Sequence, residues 1–380
     1  MSLFTDTLTL LESQHRLREI PHADTEGRID LLSNDYMGLA SEAESFMPEF
    51  LSRFSDASFS SSASRLLSRN QKYHIMLEEH LESLYSRPAL LFNSGYHANA
   101  GAMAALSGKD TLIIIDKLMH ASAIDGMMQG VQSSRGRYIR FVHNDMTSLR
   151  SILEKNAGQF RHMIVVTESI FSMDGDLAHL REITEMKKDF PEMIIYLDEA
   201  HAFGVRGERG LGLAEELGLI AETDIIVGTF GKAAASSGAF VSASAEIRDY
   251  LVNTARSFIF STAAPPVCQA WTLMMINKLE GMNRQRTHLR NLCRDFAAAL
   301  RGKTDIPDNA GHSQIIPVMC GSAEKALSVA QSVREAGYDV LPIRRPTVAA
   351  GSERIRISLN SSLCMHQLQP LVETLQRAHL

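Results

Sequence analysis

The feature that most constrains the fold is a series of short apolar runs, rich in β-branched residues, that alternate with helical stretches between residues 70 and 265. The runs are TLIIID (111–116), HMIVVTE (162–168), MIIYLDE (193–199), DIIVGT (224–229) and AFVSAS (239–244). Continuous apolar strands are typical of a parallel sheet that helices cover on both faces. The pattern therefore predicts an α/β fold built on a parallel sheet.

A second pattern begins after the dipeptide Pro265-Pro266 with a long helical stretch at 267–301. Strand-like and helical segments then follow in mixed order, at 313–319, 323–336, 338–343, 353–359 and 365–379. This order predicts a smaller α+β domain. We expect three parts in all: an N-terminal arm at 1–45, a large domain at 46–266 and a small C-terminal domain at 267–380.

The composition favours a globular protein that binds small molecules. With 380 residues, 45% of them hydrophobic, the chain exceeds the usual size of one domain and can bury a large core. The formal net charge is −6 and the basic residues are scattered. That distribution lacks the electrostatic footprint of a protein that binds nucleic acid or an anionic membrane.

The chain shows no signal for a metal site, secretion or membrane insertion. Its four cysteines have neither CxxC spacing nor a nearby histidine pair, and they are Cys268, Cys293, Cys320 and Cys364. The N-terminal segment lacks the layout of a signal peptide, and no apolar run approaches the ~20 residues that span a bilayer. We expect reduced thiols, no bound metal and a cytoplasmic location.

Polar residues end most of the apolar runs. They are Asp116, Thr167, Glu168, Asp198, Glu199 and Thr229. Ligands of open α/β sheets bind beyond the carboxyl ends of the strands, so these residues are expected to line one cleft. The alternative is that strand ends are polar only because loops are.

The tetrapeptide Asp198-Glu199-Ala200-His201 allows two interpretations. It matches the DEAH string of helicases, but the GxxxxGK[ST] phosphate loop that a helicase requires is missing from the sequence. The second interpretation is that Asp198 pairs with a pyridinium nitrogen and keeps a cofactor ring protonated as an electron sink. His201, three residues later, is then placed to turn towards the 3-oxygen of that ring.

Lys232 lies in a loop of glycines and small residues directly after a buried strand. A lysine amine in a partly desolvated pocket has a lowered pKa, which Schiff-base formation and proton abstraction both require. Gly231 and the alanines after the lysine leave room for a planar ring. The alternative, a surface lysine on a turn, does not account for its position one helix after Asp198.

Two further junctions fit a phosphorylated aromatic cofactor. Gly95 and Tyr96 stand at the start of a helical stretch, where main-chain N–H groups bind phosphate. His120 and His143 follow strand-like segments, and an imidazole such as that of His120 can stack on a cofactor ring. A hydrogen-bonded structural role remains the alternative for each histidine.

Taken together, these residues resemble the α-oxoamine synthases, a family of fold-type I enzymes that use pyridoxal 5′-phosphate (PLP). Nine segments carry the resemblance in order: SNDYMGLA (33–40), SGYHAN (94–99), DKLMHAS (116–122), HND (143–145), TESIFSMDGD (167–176), DEAH (198–201), GTFGKA (228–233), FIFSTAAPP (258–266) and RRPTVAAGSERIRISL (344–359). The resemblance implies a mostly parallel seven-stranded sheet flanked by helices, with a smaller C-terminal α+β domain. It also implies a homodimer with shared active sites.

The resemblance further implies a reaction in which an amino acid condenses with an acyl thioester and CO2 is lost. The members most similar to this chain use L-alanine and a pimeloyl group carried by CoA or a carrier protein, in biotin synthesis. Glycine with a different acyl donor is one alternative. A PLP-fold protein that binds ligands without turnover is another.

Residue roles follow from the matched motifs. For the cofactor, Lys232 forms the Schiff base and moves the Cα proton, Asp198 pairs with the ring nitrogen, His120 stacks on the ring, and His201 and Ser172 contact the ring oxygen. Phosphate is held by Gly95, Tyr96 and Thr229, and across the dimer interface by Ser261 and Thr262. For the substrate, Arg356 binds the carboxylate, Thr347 and Asn34 contact the substrate, and Arg18 or Arg16 meets the far end of the acyl chain.

Three departures from the family pattern affect the expected substrate. A glycine-rich G-x-G-G-S-R stretch is replaced by Ser-Ser-Ser-Ala-Ser-Arg at 60–65, and S-G-N-H is replaced by Ser-Arg-Asn-Gln at 68–71. The usual C-terminal histidine falls at Leu363. The first two changes lie where the acyl group is expected to enter, so they bear on the acyl donor and not on the cofactor.

Overall fold

The computed structural model describes residues 2–18, 20 and 27–379. The chain divides into a larger unit, Met37–Phe171 with Leu177–Arg286, and a smaller unit, Met1–Tyr36 with Ser172–Asp176 and Thr287–Leu380. Residues 1, 19 and 21–26 of the predicted N-terminal arm lie outside the described residues.

In the described residues, the strands are β1 Ile29–Asp30, β2 Ala89–Phe92, β3 Thr111–Asp116, β4 Arg137–Phe141, β5 His162–Glu168, β6 Met193–Asp198, β7 Ile225–Thr229, β8 Ala239–Ala243, β9 Ile315–Met319, β10 Tyr338–Asp339, β11 Leu341–Ile343 and β12 Arg354–Ser358. The helices are α1 Leu3–Ser13, α2 Ala43–Phe54, α3 Lys72–Tyr85, α4 Gly95–Leu106, α5 Ala121–Ser134, α6 Met146–Asn156, α7 Leu180–Met186, α8 Leu213–Leu217, α9 Ala245–Thr254, α10 Arg256–Ile259, α11 Pro266–Glu280, α12 Asn283–Leu300, α13 Ala323–Glu335 and α14 Met365–His379.

The division into units differs from the predicted boundary between residues 266 and 267. Helix α11, which the sequence pattern assigned to the small domain, belongs to the larger unit because it packs along α3. Its Trp271 ring meets Phe50 of α2 edge-on, with 5.4 Å between the ring centroids. Tertiary packing of this apolar helix, rather than the two prolines before it, decides which unit contains it.

The larger unit contains the predicted seven-stranded sheet, in the order β2-β8-β7-β6-β5-β3-β4. The five strands from β7 to β4 pair in parallel. Strands β3, β6 and β7 are almost wholly buried, as their continuous apolar runs predict. The prediction of a mostly parallel sheet with flanking helices is confirmed.

One strand of the predicted parallel set runs the other way. The run at 239–244 forms β8, which pairs antiparallel with both β7 and β2. A parallel pair needs a long crossover connection, whereas only residues 230–238 separate β7 from β8, and they form no helix. Short connections favour antiparallel neighbours, so the apolar run alone did not determine the strand direction.

Helices α4 and α5 pack against each other closely and cover one face of this sheet. A Cβ atom at Gly126 would lie 2.5 Å from the carbonyl oxygen of Ala100, and one at Gly130 would lie 2.6 Å from that of Ala104. Only glycine permits such a close approach of two backbones. The packing matters for function because the N-terminal ends of these two helices carry Tyr96 and His120.

The smaller unit is an α+β structure. Strands β11, β12 and β9 form an antiparallel sheet, and β1 pairs with β10 in parallel. Helices α13 and α14 pack on each other, and α13 also contacts β11 and β12. The predicted segments at 313–319, 323–336, 353–359 and 365–379 all correspond to observed elements.

The described part of the chain was searched for membrane-spanning helices and for metal-binding clusters. No helix there is both long enough and apolar enough to cross a membrane. No group of three or more His, Cys, Asp or Glu side chains there is arranged to hold a metal ion. All four cysteines are free thiols.

Candidate active site

Asp198 is the last residue of β6 and is buried, with 4% of its surface exposed. One carboxylate oxygen accepts a 2.7 Å hydrogen bond from the side-chain amide of Asn99, and the other accepts a 2.9 Å bond from the main-chain N–H of Ala200. A buried charge is tolerated when it is hydrogen-bonded in this way. The carboxylate is therefore held in one orientation.

Asn99 is a functional residue that the motif analysis did not single out. Its amide also donates to the Ser122 hydroxyl at 3.0 Å, and its oxygen accepts from the Tyr196 hydroxyl at 2.8 Å. Helix α4 otherwise has small and apolar residues on its buried face, so a buried amide there was the available signal. Asn99 joins helices α4 and α5 to strand β6 and so orients Asp198.

Lys232 and His201 are brought together, although 31 residues separate them along the chain. The Lys232 Nζ atom lies 2.7 Å from His201 Nε2. Lys232 is partly buried in the loop after β7, and His201 is 5% exposed in the turn after β6. Neighbouring parallel strands end at the same edge of the sheet, which explains why the two loops meet.

The expected phosphate cradle lies at the start of helix α4. Ser94 caps the helix by accepting the N–H of His97 at 3.2 Å, whereas the N–H groups of Gly95 and Tyr96 point out of the first turn. Gly95 lies beside Thr229, because a Cβ atom at Gly95 would be 3.5 Å from the Thr229 hydroxyl oxygen. These donors and the helix dipole suit an anion.

Ser261 and Thr262 lie beside the same region within a single chain. The Asn93 amide donates to the Ser261 hydroxyl at 2.9 Å and to the Thr262 carbonyl at 2.6 Å. Asn93 immediately precedes the helix cap Ser94. Thr262 is exposed and Ser261 is partly buried, so both are accessible, and their predicted contact across a dimer interface stays a prediction.

His120 caps the start of α5. Its Nδ1 atom lies 2.7 Å from the Ser122 hydroxyl and accepts the N–H of Ser122 at 3.2 Å, which orients the imidazole. The residue is exposed overall, yet loss of hydration lowers the pKa of the ring and the positive charge of Lys232 lowers it further, while Asp198 opposes both effects. A neutral, oriented ring is suited to stacking on a cofactor.

His143 has the structural role that the sequence left open. Its Nδ1 atom is 2.9 Å from the carboxylate of Asp116, which is fully buried at the end of β3. The imidazole also packs edge-on against Phe171, with 4.4 Å between the ring centroids. These contacts anchor the loop after β4.

Arg356 is the main feature of the expected substrate region, and this region lies within the smaller unit. Its side chain is 6% exposed, and it donates to the Asn34 amide oxygen at 2.8 Å and to the Tyr36 hydroxyl at 3.0 Å. Burial raises the pKa of Tyr36, which therefore stays neutral, and the charge of Arg356 opposes that rise. In the described residues no carboxylate is paired with Arg356, so its buried positive charge lacks a counter-ion.

Of the remaining predicted site residues in the smaller unit, only some are in contact with one another. The Arg18 guanidinium donates to the Thr347 hydroxyl at 2.9 Å, so two residues predicted separately are in contact. Arg16 instead donates to Gln14 at 2.9 Å. Ser172 belongs to the segment Ser172–Asp176 of the smaller unit, and its predicted contact with the cofactor ring stays a prediction.

The segment that departs from the family pattern forms an ordered loop. Arg65 makes a bidentate ion pair with Glu78, with both bonds at 2.9 Å, and the Gln71 amide closes the loop by donating to the Arg65 carbonyl at 2.7 Å. Ser62 has a φ of +53°, in the left-handed region. It occupies a position where the family has glycine, which adopts that conformation without strain.

Several residues of the larger unit carry the functional groups that would bind PLP. A fixed, buried carboxylate suits a pyridinium nitrogen, and a lysine amine suits the aldehyde carbon. Helix N–H groups beside a hydroxyl suit the phosphate. The predicted residues Asp198, Lys232, His201, Gly95 and Thr229 are thus all found at one edge of the sheet.

Comparisons with known proteins agree with this chemistry. Residues 26–375 match the family described as aminotransferase class I and II. A relative named "Putative 8-amino-7-oxononanoate synthase" in Haemophilus influenzae (strain 86-028NP) is 42% identical over an alignment of 388 positions, which covers 99% of this chain and 100% of the relative. A relative of the same name in Neisseria meningitidis serogroup A is also 42% identical, over 97% of this chain and 98% of the relative.

Solved structures are similar along the whole chain. Serine palmitoyltransferase from S. paucimobilis, with bound PLP-myriocin aldimine, superposes with a TM-score of 0.87 at 27% identity, over 100% of this chain and 98% of that one. An 8-amino-7-oxononanoate synthase from Francisella tularensis superposes with a TM-score of 0.78 at 26% identity, over 93% of this chain and 98% of that one.

Proposed function

This chain belongs to the aminotransferase class I and II family and, within it, to the PLP-dependent α-oxoamine synthases, and from that premise we propose that it makes 8-amino-7-oxononanoate. The reaction condenses L-alanine with a pimeloyl thioester and releases the free thiol and CO2, as a step of biotin synthesis. The observation that carries this proposal is the end-to-end similarity to relatives that bear the name of this activity.

Each of the proposed cofactor-binding residues of the larger unit has a defined task. When bound, PLP supplies an electron sink for negative charge at the Cα of the amino acid and again during loss of CO2. Lys232 binds the cofactor and then moves the proton at Cα. Asp198 holds the proton on the pyridine nitrogen, and His120 orients the ring. His201, whose Nε2 atom lies 2.7 Å from the lysine amine, would contact the ring oxygen of the bound cofactor.

Residues of each unit have a separate task in binding the anionic groups. Gly95, Tyr96 and Thr229 hold the phosphate, and Arg356 binds the carboxylate of the amino acid because its buried charge has no carboxylate partner in the described residues. Loss of that carboxylate as CO2 would remove the anionic partner of Arg356, while the carboxylate at the far end of the pimeloyl group stays in the product.

We assign the active form to a homodimer in which Ser261 and Thr262 reach the phosphate of the partner subunit. Thr262 is exposed in the single chain, and the neighbouring Phe260 side chain is 71% exposed. This exposure leaves the segment accessible to a partner subunit.

A second candidate uses L-serine and a long-chain acyl thioester. The observation that favours it is the higher TM-score of the serine palmitoyltransferase structure, 0.87 against 0.78. Glycine with another acyl donor follows the same chemistry. A PLP-fold protein that binds amino acids without turnover would be a different class of function.

One experiment separates these candidates. The holoenzyme is assayed for release of free thiol with a matrix of amino acids (alanine, serine, glycine) and acyl donors (pimeloyl, palmitoyl and acetyl thioesters of CoA, and pimeloyl carrier protein). We expect the highest kcat/KM for alanine with a pimeloyl donor. A preference for serine with palmitoyl-CoA would overturn the proposal in favour of the second candidate. An amino acid-induced change in absorbance without thiol release from any donor would favour the binding protein.

A further inference from the structure

Acidic side chains are concentrated at the carboxyl edge of the larger sheet. Glu168 ends β5, and it is the register partner of Asp198 at the end of β6. Glu168 is 2% exposed and Asp198 is 4% exposed. Two buried carboxylates on neighbouring strands repel each other, and each requires hydrogen-bond donors to remain charged. The donors available to each side chain therefore indicate which one carries the charge.

Glu168 has far fewer donors than its neighbours. Asp198 has a donor at each oxygen, and Glu199 accepts two main-chain N–H groups at 2.8 and 3.0 Å. The main-chain N–H of His120 is near enough to the Glu168 side chain to favour its charged form, but the Glu168 Oε1 atom is buried without a hydrogen-bond partner in the described part of the chain. A charged carboxylate with one bare, desolvated oxygen is more unfavourable than a neutral acid in the same place.

We propose that Glu168 is a positioning residue that is protonated at neutral pH, so that its neutral carboxyl group holds the main-chain N–H of His120 and leaves the negative charge on Asp198. The electrostatics agree with the geometry. Burial raises the pKa of Glu168 well above its ordinary range, and the charges of Asp198 and Asp116 raise it further. The charge of Lys232 and the N–H of His120 act in the opposite direction.

A neutral Glu168 matters for the lysine. A negative charge at Glu168 would stabilise the ammonium form of Lys232, since opposite charges favour ionisation of both groups. Binding the cofactor and removing the Cα proton both require the free amine. The proposal thus deepens the roles given above to Lys232 and His120, and it is independent of the acyl donor.

The test compares Glu168→Gln with the wild-type holoenzyme in the absence of acyl donor. Infrared difference spectra at pH 7 are expected to show the carbonyl stretch of a protonated carboxylic acid in the wild type that is missing from the variant. Glutamine is neutral, has nearly the same shape, and can still accept the N–H of His120. The pH at which the visible absorbance band of the bound cofactor changes should therefore move by less than about 0.3 units in the variant.

A shift of about one pH unit or more, or the lack of the carbonyl signal, would show that Glu168 is ionised and would overturn the proposal. These readouts need no turnover, so a wrong choice of acyl donor does not affect them. A failure of Lys232 to carry the cofactor would instead appear as loss of the visible band from the wild type.

Two further variants test the positioning role. Glu168→Ala leaves the His120 N–H without its acceptor, and we expect at least tenfold weaker PLP binding, which Glu168→Gln restores to within about threefold. Equal weakening in both variants would overturn the proposal. Glu199→Gln is the matched control, because each Glu199 oxygen accepts one main-chain N–H and the glutamine amide nitrogen would face one of these donors, so the variant is expected to lower Tm. That result shows that glutamine is not tolerated at every buried carboxyl group of this edge.

Discussion

The residues of the larger unit that we propose bind the cofactor and those of the smaller unit that we propose bind the substrate differ in how completely their charges are satisfied. Asp198 has a hydrogen bond at each oxygen, and Lys232 lies against His201. Among the described residues, the hydrogen bonds of the Arg356 side chain, which is buried to a similar degree, go to the neutral groups of Asn34 and Tyr36. We infer that the proposed cofactor site is preorganised, while in the proposed substrate site the guanidinium charge of Arg356 is left to pair with an anionic substrate.

The largest expected effect tests the cofactor side of this comparison. Lys232→Ala should lower kcat by at least ~10³-fold, because it removes both the attachment point and the proton carrier. Steady-state kinetics and the loss of borohydride-fixed cofactor, detected by mass spectrometry, measure the effect. Lys278→Ala is the control, since Lys278 is another lysine of the larger unit and pairs with Glu49 at 2.7 Å. Full turnover in the Lys232 variant would contradict the assignment.

The second prediction tests the substrate side with two arginines of strand β12. Arg356→Ala should raise the KM for the amino acid by about 100-fold, a loss typical of a charged hydrogen bond to a carboxylate, and leave the KM for the acyl donor unchanged. Arg354 is equally buried but is ion-paired with Asp174. Arg354→Ala should therefore lower Tm with little effect on KM. Similar KM changes in both variants would remove the distinction between a paired and an unpaired arginine.

A third prediction concerns the pH dependence of stability on the cofactor side. Burial raises the pKa of Glu199 to about 7, although the N–H groups of Ala214 and Leu213 oppose the shift. The folded state therefore retains a proton that the unfolded state releases. The resulting stabilisation is complete below the unfolded-state pKa of about 4.5 and is lost as pH rises to about 7, at up to ~1.4 kcal/mol per pH unit.

Urea unfolding of the wild type and of Glu199→Gln across pH 4.5 to 8 measures this contribution. The variant is expected to be less stable at low pH and to lack this part of the slope. Parallel curves for the two proteins would mean that Glu199 has an ordinary pKa in the folded state.

The smallest expected effect lies in the loop where the chain departs from its family. Ser62→Gly should raise the free energy of unfolding by up to about 1 kcal/mol, because it relieves a left-handed conformation. The adjacent Ser60→Gly is the control, since the Ser60 hydroxyl accepts the N–H of Ser62 at 3.1 Å and its removal should destabilise the loop. Thermal denaturation separates the two outcomes.

Much of the fold was predictable because buried strands leave a strong local signal. The runs at 111–116 and 193–199 correspond to β3 and β6 within one residue. Strand β4 was missed, since RYIRF is an exposed edge strand whose charged side chains hide the pattern. The direction of β8 also escaped prediction, because an apolar run is the same in a parallel and an antiparallel strand.

The candidate site was predictable to the same extent. Asp198, Lys232 and Gly95 were each proposed from the local motif that contains them, because motifs of this kind depend on backbone geometry near in sequence. The structure places them at one edge of the sheet, and their roles stay predictions. Asn99 and Glu168 were not assigned roles. A single polar residue in a helix or at a strand end has many common explanations, and only its partners reveal what it does.

By itself the sequence determined the class of fold, the cofactor and the residues that stand at the strand ends, because these depend on local patterns of burial and on motifs within one loop. Only the tertiary structure decided which of these residues meet. Arg18 contacts Thr347 and Arg356 contacts Asn34 across separations of 329 and 322 residues. The protonation proposed for Glu168 likewise depends on burial and on donors from other strands and helices, which no local stretch of sequence contains.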